Sequence, residues 1–419
     1  MSYNYDYTDA CMQAAMQEKV RRTHRVEKTL SVRVVNNAVI LPQTTFPVDR
    51  IRGGVIGQDG SFVSNTGFHV GKEGAYEYDA SQVAKIHKEA VYLGFFNPVW
   101  GHCITDNLKL LWFVLTDEYK KLMESGEVEL VFSCTTDFHL SHNFGILLGC
   151  LGLDIHRLRR VDHLTAFDRL YVPEACFFAN GKGERFFTNE LESVVNHILS
   201  FAPESPAYDK VYLTRTKLPG GLRDMGEKDI EQCFRKMGYK ILSPEKLSFF
   251  EQLSVLSHCK VLATTEGSIS HNALFLSECS KLVIVRKVPF VNEYQLAINE
   301  IRRLNVTYID AHLSVFANVD VPAAGPFFLY VNDNMARFCH MMVKPHFSLS
   351  SFKRYATICL MLPNFDRRVK FPDYYYQKLS EEIEKKKSSY RNLLGHLPFL
   401  SDKTRGKIIE LGKKILAKR

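Results

Sequence analysis

Three short stretches of the chain carry side chains whose types and spacing suit proton transfer and anion binding. The first is Gly101-His102-Cys103-Ile104-Thr105-Asp106-Asn107. On a helix beginning near Gly101, His102 and Asp106 are i and i+4 and share a face. An imidazole beside a carboxylate is a proton-transfer pair, because the carboxylate orients the ring and raises its basicity. The base is one of the two, and the spacing does not choose between them. The plainer reading is a partly buried histidine satisfied by a local helical contact. Ile104, Leu108 and Leu111 lie on another face and belong to a core. A metal set of His102, Cys103 and Asp106 is poor, because successive residues point apart on a helix.

The second stretch is Glu266-Gly267-Ser268-Ile269-Ser270-His271-Asn272, which follows the apolar run KVLATT. It reads as a turn from a strand into a helix. Backbone N–H groups at a helix start attract anions, and Gly267 lets a phosphate come close. The plainer reading is a capped helix, with Ser268 or Ser270 as the cap. The third stretch is YLTRTKLPGGLRDMGEKD, residues 212–229. Arg215 ends a strand, and Lys217 and Arg223 follow in a Gly-Pro loop. Arginines there can hold a diphosphate by forked, charge-assisted bonds; the alternative is a solvated loop. Both anion-friendly stretches follow strands on the same edge of one sheet.

These residues need elements to position them, and the chain supplies an alternating pattern. Residues up to about 90 form a β-rich opening, with a hairpin expected over 29–42 and its turn at Asn36-Asn37. From VYLGFF onward strands and helices alternate, and GHCITDNLKLLWFVLTDEYKKLM reads as one helix. After APESPAYD (202–209), taken as a linker, the alternation restarts with KVYLTR, YKILSP, KVLATT and KLVIVR as strands and HNALFLSEC as a helix. Such alternation implies βαβ units and a mainly parallel sheet. The expected division is an α/β lobe over 1–204, a Rossmann-like lobe over 205–335, and a helical extension over 336–419 that packs back. Ligands of such sheets sit beyond the carboxyl ends of the strands.

Charge narrows the function. The net charge of the 419 residues is +8, yet residues 385–419 hold eleven bases against two acids. The body is therefore balanced, which argues against a broad nucleic-acid face. The tail reads as a basic amphipathic helix, with Ile408, Leu411, Ile415 and Leu416 on one side among lysines, and suits an anionic membrane surface. Ten widely spaced cysteines without a C-x-x-C fit reduced thiols. No signal-like start and no apolar run of about 18 residues occurs, so a cytoplasmic protein, peripheral on the inner face of the membrane, is expected. There is no D-x-D pair, no G-x-x-x-x-G-K-[ST] and no G-x-G-x-x-G, which removes support for ATPase, dinucleotide and diphosphate–metal readings. No metal and no cofactor is expected.

Three blocks together resemble glycosyltransferase family 61. They are N97-PVWGHCITDNLKLLW-112, the region 211–264 that begins VYLTR and continues through MGEKDIEQ to KVLAT, and T265-EGSISHNALF-275. They occur in the family's order and span about 90–290. Gly226 stands where the family usually has Asn before the acid, here Glu227, and Glu266-Gly267-Ser268 replaces the commoner His-Gly-Ala. The resemblance implies a GT-B-like arrangement of two Rossmann-like lobes around a cleft, with the acceptor on the first lobe and the donor on the second. It implies inverting, metal-independent transfer of a sugar from a nucleotide-diphosphate donor to a hydroxyl of a glycan or lipid-linked glycan. Without an anchor, a bacterial capsule or surface-polysaccharide enzyme is expected.

In this reading His102 and Asp106 are catalytic. Arg215, Lys217, Arg223, Glu227, Glu266, Gly267, Ser268, Ser270, His271 and Asn272 bind the donor, with His271 and Asn272 either fixing the turn or touching phosphate. Two rivals use the same features: a pyruvyl or glycerol-phosphate transferase on the same fold, and a non-catalytic nucleotide-sugar-binding subunit of a synthesis complex. The second rival needs no His-Asp pair.

Overall fold

The structure is a computed structural model. It describes the chain except residues 47–49, 69–73, 125, 135–139, 141, 181, 205–207, 219–223, 319–324, 362–364, 367–371 and 390–419. Two six-stranded sheets organise it. The first runs in the order Arg50–Ile56, Val32–Phe46, Thr165–Pro173, Ala84–Phe96, Glu129–Cys134, Leu158–Arg160. Its last four strands pair in parallel, while Val32–Phe46 pairs antiparallel with both of its neighbours. The first half is thus a mixed sheet.

The second sheet runs Ser2–Tyr7, Asn305–Asp310, Lys281–Arg286, Val261–Thr265, Lys210–Leu213, Lys240–Leu242, and every pair is parallel. Leaving the N-terminal strand aside, chain order across the sheet is 2-1-3-4-5. It reverses between Lys210–Leu213 and Val261–Thr265. In an open α/β sheet, such a reversal opens a crevice beyond the carboxyl ends of the two strands.

The N-terminal strand departs from the expected boundary at 204, because it completes the second sheet rather than the first. Tyr3 and Tyr5 point to one face and stack on Tyr308 with ring centroids 6.3 and 6.2 Å away. Alternating tyrosines suit a pleated, half-buried surface, and the polar residues between them fall on the other face. The expected hairpin at Asn36-Asn37 is also absent. Asn37 has φ 48°, but the strand passes through it in one register, with Asn36 opposite Arg169 and Ala38 opposite Phe167. Asparagine tolerates that backbone region as a single residue, so the pair does not turn the chain.

The stretch expected as one helix from Gly101 is broken into pieces. A short helix, Trp100–Cys103, is followed by 3₁₀ turns at Asp106–Leu108 and Leu111–Leu115 and a helix Asp117–Glu124. Thr105 (φ −130°, ψ −86°) interrupts it, and its hydroxyl donates to the Gly101 carbonyl at 2.7 Å. Such side-chain bonds to the backbone compete with helix hydrogen bonds. Downstream of Thr265 the expected helix is likewise a 3₁₀ run, Ser270–Phe275.

The two sheets share one continuous apolar core. Phe96, Leu130 and Phe132 from the first and Leu213, Leu262 and Ile284 from the second belong to the same buried cluster, with Leu191, Val194, Val195 and Ile198 of the helix Asn189–Leu199. The junction between them is therefore packed rather than a linker-spanned gap. The helices Leu349–Met361 and Pro372–Ser389 pack back through buried Tyr355 and Tyr375, and Lys378 donates to Asp9 at 2.9 Å. The tail beyond residue 389 lies outside the described residues. All ten cysteines are free thiols. Among the described residues, no helix is long and apolar enough to cross a membrane.

Candidate active site

Two asparagines fix the segment that presents His102. The Asn97 N–H donates to Asn107 Oδ1 at 2.9 Å, and Asn107 Nδ2 returns a bond to the Asn97 carbonyl at 3.0 Å. Asn97 Oδ1 also accepts from the Val99 N–H at 2.8 Å. The clamp closes a loop around the short helix, so His102 and Asp106 face each other even though no continuous helix joins them. Nδ1 of His102 is hydrogen-bonded to Oδ2 of Asp106. With the Nδ1 proton directed at the carboxylate, Nε2 keeps its lone pair for an incoming proton. The His102 side chain is 30% exposed while Asp106 is 5%, so the imidazole meets solvent and the carboxylate stands behind it.

Asp106 also accepts a bond from the Tyr294 hydroxyl at 2.9 Å, and its Oδ1 is buried without a hydrogen-bond partner among the described residues. Burial pushes this carboxyl up. The hydrogen bond and charge of His102, with Arg185 and Lys109 nearby, outweigh that and hold it below the usual range. Lys109 is fully buried, and burial pushes its ammonium down to about 8; its Nζ donates to the Gly67 carbonyl at 2.8 Å. The next residue, Phe68, places its ring 5.9 Å from that of His102. Tyr294 closes the other side edge-on at 5.7 Å and is itself covered by Arg185, 4.2 Å from its ring centroid.

The second sheet presses the 266–272 turn directly against this segment. The Trp100 indole N–H donates to Asn272 Oδ1 at 2.9 Å. A side chain on Gly101 would lie 2.7 Å from Ser268 Oγ and 2.9 Å from His271 Nδ1, so the close approach requires glycine. His271 stacks on Tyr294 at 5.8 Å. Burial, with His102 close by, pushes its imidazole down to about 4, and it stays neutral at ordinary pH.

A cavity of about 350 Å³ opens beside Trp100, lined also by Arg215, Pro244, Gln252, Ser268 and Asn272. Arg215 and Ser268 follow the two strands between which the sheet order reverses, which is where such a fold binds ligands.

The donor residues expected from sequence divide into three groups. Arg215, Ser268 and Asn272 line the cavity, and Gly267 (φ 117°) adjoins Ser268. Ser270, His271, Glu227 and Glu266 are turned away. The Ser270 N–H is closed onto the Gly267 carbonyl at 2.8 Å, and Ser270 Oγ takes the Gly267 N–H at 3.2 Å. Both N–H groups are thus engaged within the turn, and the 3₁₀ run after it does not offer the regular helix start expected there. Glu227 is buried and accepts the Arg215 N–H at 3.0 Å, so it holds the backbone of the arginine turn from behind. Burial and the charge of Asp224 push its carboxyl up to about 7. Glu266 is buried, and burial pushes it up to about 7 against the pull of Arg286 and Lys287. Lys217 is exposed on the loop, and Arg223 lies outside the described residues.

Sequence reasoning missed Tyr294, Lys287 and Asp224. Lys287 directly follows the strand Lys281–Arg286, and Tyr294 sits in the first turn of the next helix, Glu293–Ile301. Both lie on the same carboxyl edge as Arg215 and Gly267, so the rule that located those residues also reaches these.

The second sheet and its cavity define an α/β protein with a ligand crevice at a strand-order reversal. The family described as Glycosyltransferase 61 matches over residues 100–283, which run from Trp100 through the arginine loop and the 266–272 turn to the strand after it. The chain carries a glycosyltransferase 61 region over those residues and is a glycosyltransferase. No curated protein matches the chain. Among solved structures it is similar to the dodecameric iron-containing heptosyltransferase TibC in complex with ADP-D-beta-D-heptose, at 11% identity and TM-score 0.22, over 61% of this chain and 75% of that one. It is similar also to the dodecameric glycosyltransferase TibC from enterotoxigenic E. coli H10407, at 13% identity and TM-score 0.22, over 61% and 74%.

Proposed function

We propose that this glycosyltransferase is an inverting, metal-independent enzyme. It moves a sugar from a nucleotide-diphosphate donor to a hydroxyl of a glycan acceptor, in a two-lobed GT-B-like arrangement. The observation that carries the reading is the contact between the two chemical stretches: the segment bearing His102 and Asp106 packs on the 268–272 turn beside a cavity that holds Arg215. Trp100, two residues before His102, lines that cavity together with Arg215, which supports a proton-removing and a charge-stabilising group serving one site.

His102 Nε2 takes the proton of the acceptor hydroxyl, and Asp106 stabilises the imidazolium that forms. The acceptor oxygen bonds to the anomeric carbon from the face opposite the diphosphate. The bond from that carbon to the phosphate oxygen breaks, and its electron pair leaves with the diphosphate. Arg215 meets the developing charge with forked hydrogen bonds. His271 stays neutral and serves as packing for Tyr294 rather than as an acid.

The polymer context is bacterial capsule or surface polysaccharide, with the protein cytoplasmic and its basic tail, residues 385–419, on an anionic membrane surface beside a lipid-linked acceptor. Salt-sensitive co-sedimentation of the full chain with anionic vesicles, lost in a chain ending at residue 389, supports that placement; equal partitioning of the two removes it. The donor reading is tested by a thermal-shift panel of nucleotide sugars, since a true donor raises the melting temperature by mass action. A panel without any shift would count against it.

A further inference from the structure

Behind Arg215 stands a charged group that sequence reasoning did not reach. The Asp224 side chain is almost wholly covered, and Lys287 Nζ lies 3.2 and 3.3 Å from its two oxygens. Arg215 reaches the same carboxylate through Nε, at 3.5 Å from Oδ2, and its side chain remains 29% exposed. Asp224 and Lys287 are each 5% exposed. The carboxylate is therefore shared unequally: held firmly by the lysine and loosely by the arginine that lines the cavity.

The surroundings keep Asp224 and Lys287 in place. Asp224 pairs in register with Phe327 in a short parallel bridge, and the Lys287 ammonium sits 4.6 Å from the centroid of the Phe327 ring. The Arg215 backbone is also fixed, by Glu227 on its N–H and by the Leu218 N–H on its carbonyl at 3.0 Å. What can move is the guanidinium. A carboxylate and a phosphate are acceptors for the same guanidinium fork, so Asp224 and a diphosphate exclude each other on the N–H groups they share.

We propose that Asp224 is a resident counter-anion that competes with the donor diphosphate for Arg215, and that Lys287 is a positioning residue that limits the competition by holding the carboxylate back. The proposal rests on the donor reading of the cavity and adds to it a control on donor affinity. In the free protein Asp224 keeps Arg215 paired. When the diphosphate binds, the guanidinium turns to it, and the Asp224 charge stays compensated by Lys287. The exchange leaves no covered carboxylate unpaired, the arrangement that is costly in a protein interior.

The test is calorimetric binding of inorganic pyrophosphate to the full chain, with a melting curve for each variant. Asp224→Asn keeps the shape and removes the competing charge; it should bind roughly tenfold tighter. Lys287→Met releases the carboxylate onto Arg215 and should bind roughly tenfold weaker. In the Asp224→Asn background, Lys287→Met should have little effect. Changes of opposite sign from two variants that both disturb a buried ion pair are not what a purely structural role gives. If Asp224→Asn binds equally or more weakly while Arg215→Ala abolishes binding, the counter-anion proposal is overturned and the donor reading stands. If Asp224→Asn does not fold, unchanged affinity in Lys287→Met overturns the proposal and weakened affinity supports it. If the wild type does not bind pyrophosphate, or Arg215→Ala binds it as the wild type does, the donor reading fails and the proposal fails with it.

Discussion

The hydroxyl of Tyr294 donates a 2.9 Å hydrogen bond to Oδ2 of Asp106, and the two residues sit on segments that follow strands of different sheets. The oxygen that receives this bond is also the one that orients His102. The His102–Asp106 pair is thus completed by the half of the molecule that carries the cavity's arginine, and its geometry depends on how the two sheets pack.

Tyr294→Phe should consequently loosen Asp106 without emptying the core, because only the hydroxyl is lost. Removing a hydrogen bond to a buried charge costs about 2 kcal/mol, measurable by denaturant unfolding. Turnover should fall roughly tenfold, as expected for a lost orienting contact, with donor affinity unchanged. A variant with wild-type stability and rate would show that the bond does not orient the pair.

If Arg215 meets the diphosphate as proposed, Arg215→Ala should weaken binding of a nucleoside diphosphate far more than binding of the bare nucleoside, because the bare nucleoside carries no phosphate for the guanidinium. Competition calorimetry with both ligands measures the difference. Equal losses would place Arg215 away from the diphosphate.

The chemical stretches were legible in the sequence because their residues follow strands, and a parallel sheet gathers such positions on one edge. Arg215, Ser268 and Asn272 were found that way and line one cavity. Side-chain direction was not legible. Glu227 and Glu266 neighbour the right residues in sequence, yet Glu227 turns inward to hold the Arg215 N–H and Glu266 is buried beneath the turn. Periodicity also overstated the helices. Thr105 and Ser270 use their hydroxyls to bind nearby backbone carbonyls, an option that hydrophobic spacing does not record. The N-terminal strand was hidden for a different reason: its partner, Asn305–Asp310, lies some 300 residues away, and no local pattern carries that pairing.

Glu266 makes stability depend on pH in a definite direction. Its carboxyl titrates near 4.5 when unconstrained and near about 7 in the fold. Between those values the folded chain keeps a proton that the unfolded chain has lost. Its contribution is therefore fully present below about 4.5 and is lost as pH rises through about 7. Glutamine cannot ionise, so Glu266→Gln should lose less melting temperature than the wild type between pH 5 and pH 8, by a few degrees. Parallel curves of melting temperature against pH would contradict this.

The proposed function expects metal-independent transfer, with Arg215 as the cation for the leaving diphosphate. Turnover with an accepted donor should be unchanged in excess EDTA. Activity that is lost on chelation and restored by Mn²⁺ would overturn it.

The central claim is that His102, held by Asp106, removes the acceptor proton. The direct measurement is nucleoside diphosphate release during transfer from a donor identified by thermal shift, comparing wild type with His102→Ala and Asp106→Asn. The account predicts rates lower by about 10²-fold or more in both variants, with donor binding retained. Near-normal rates in both would contradict it and assign the pair to structure alone.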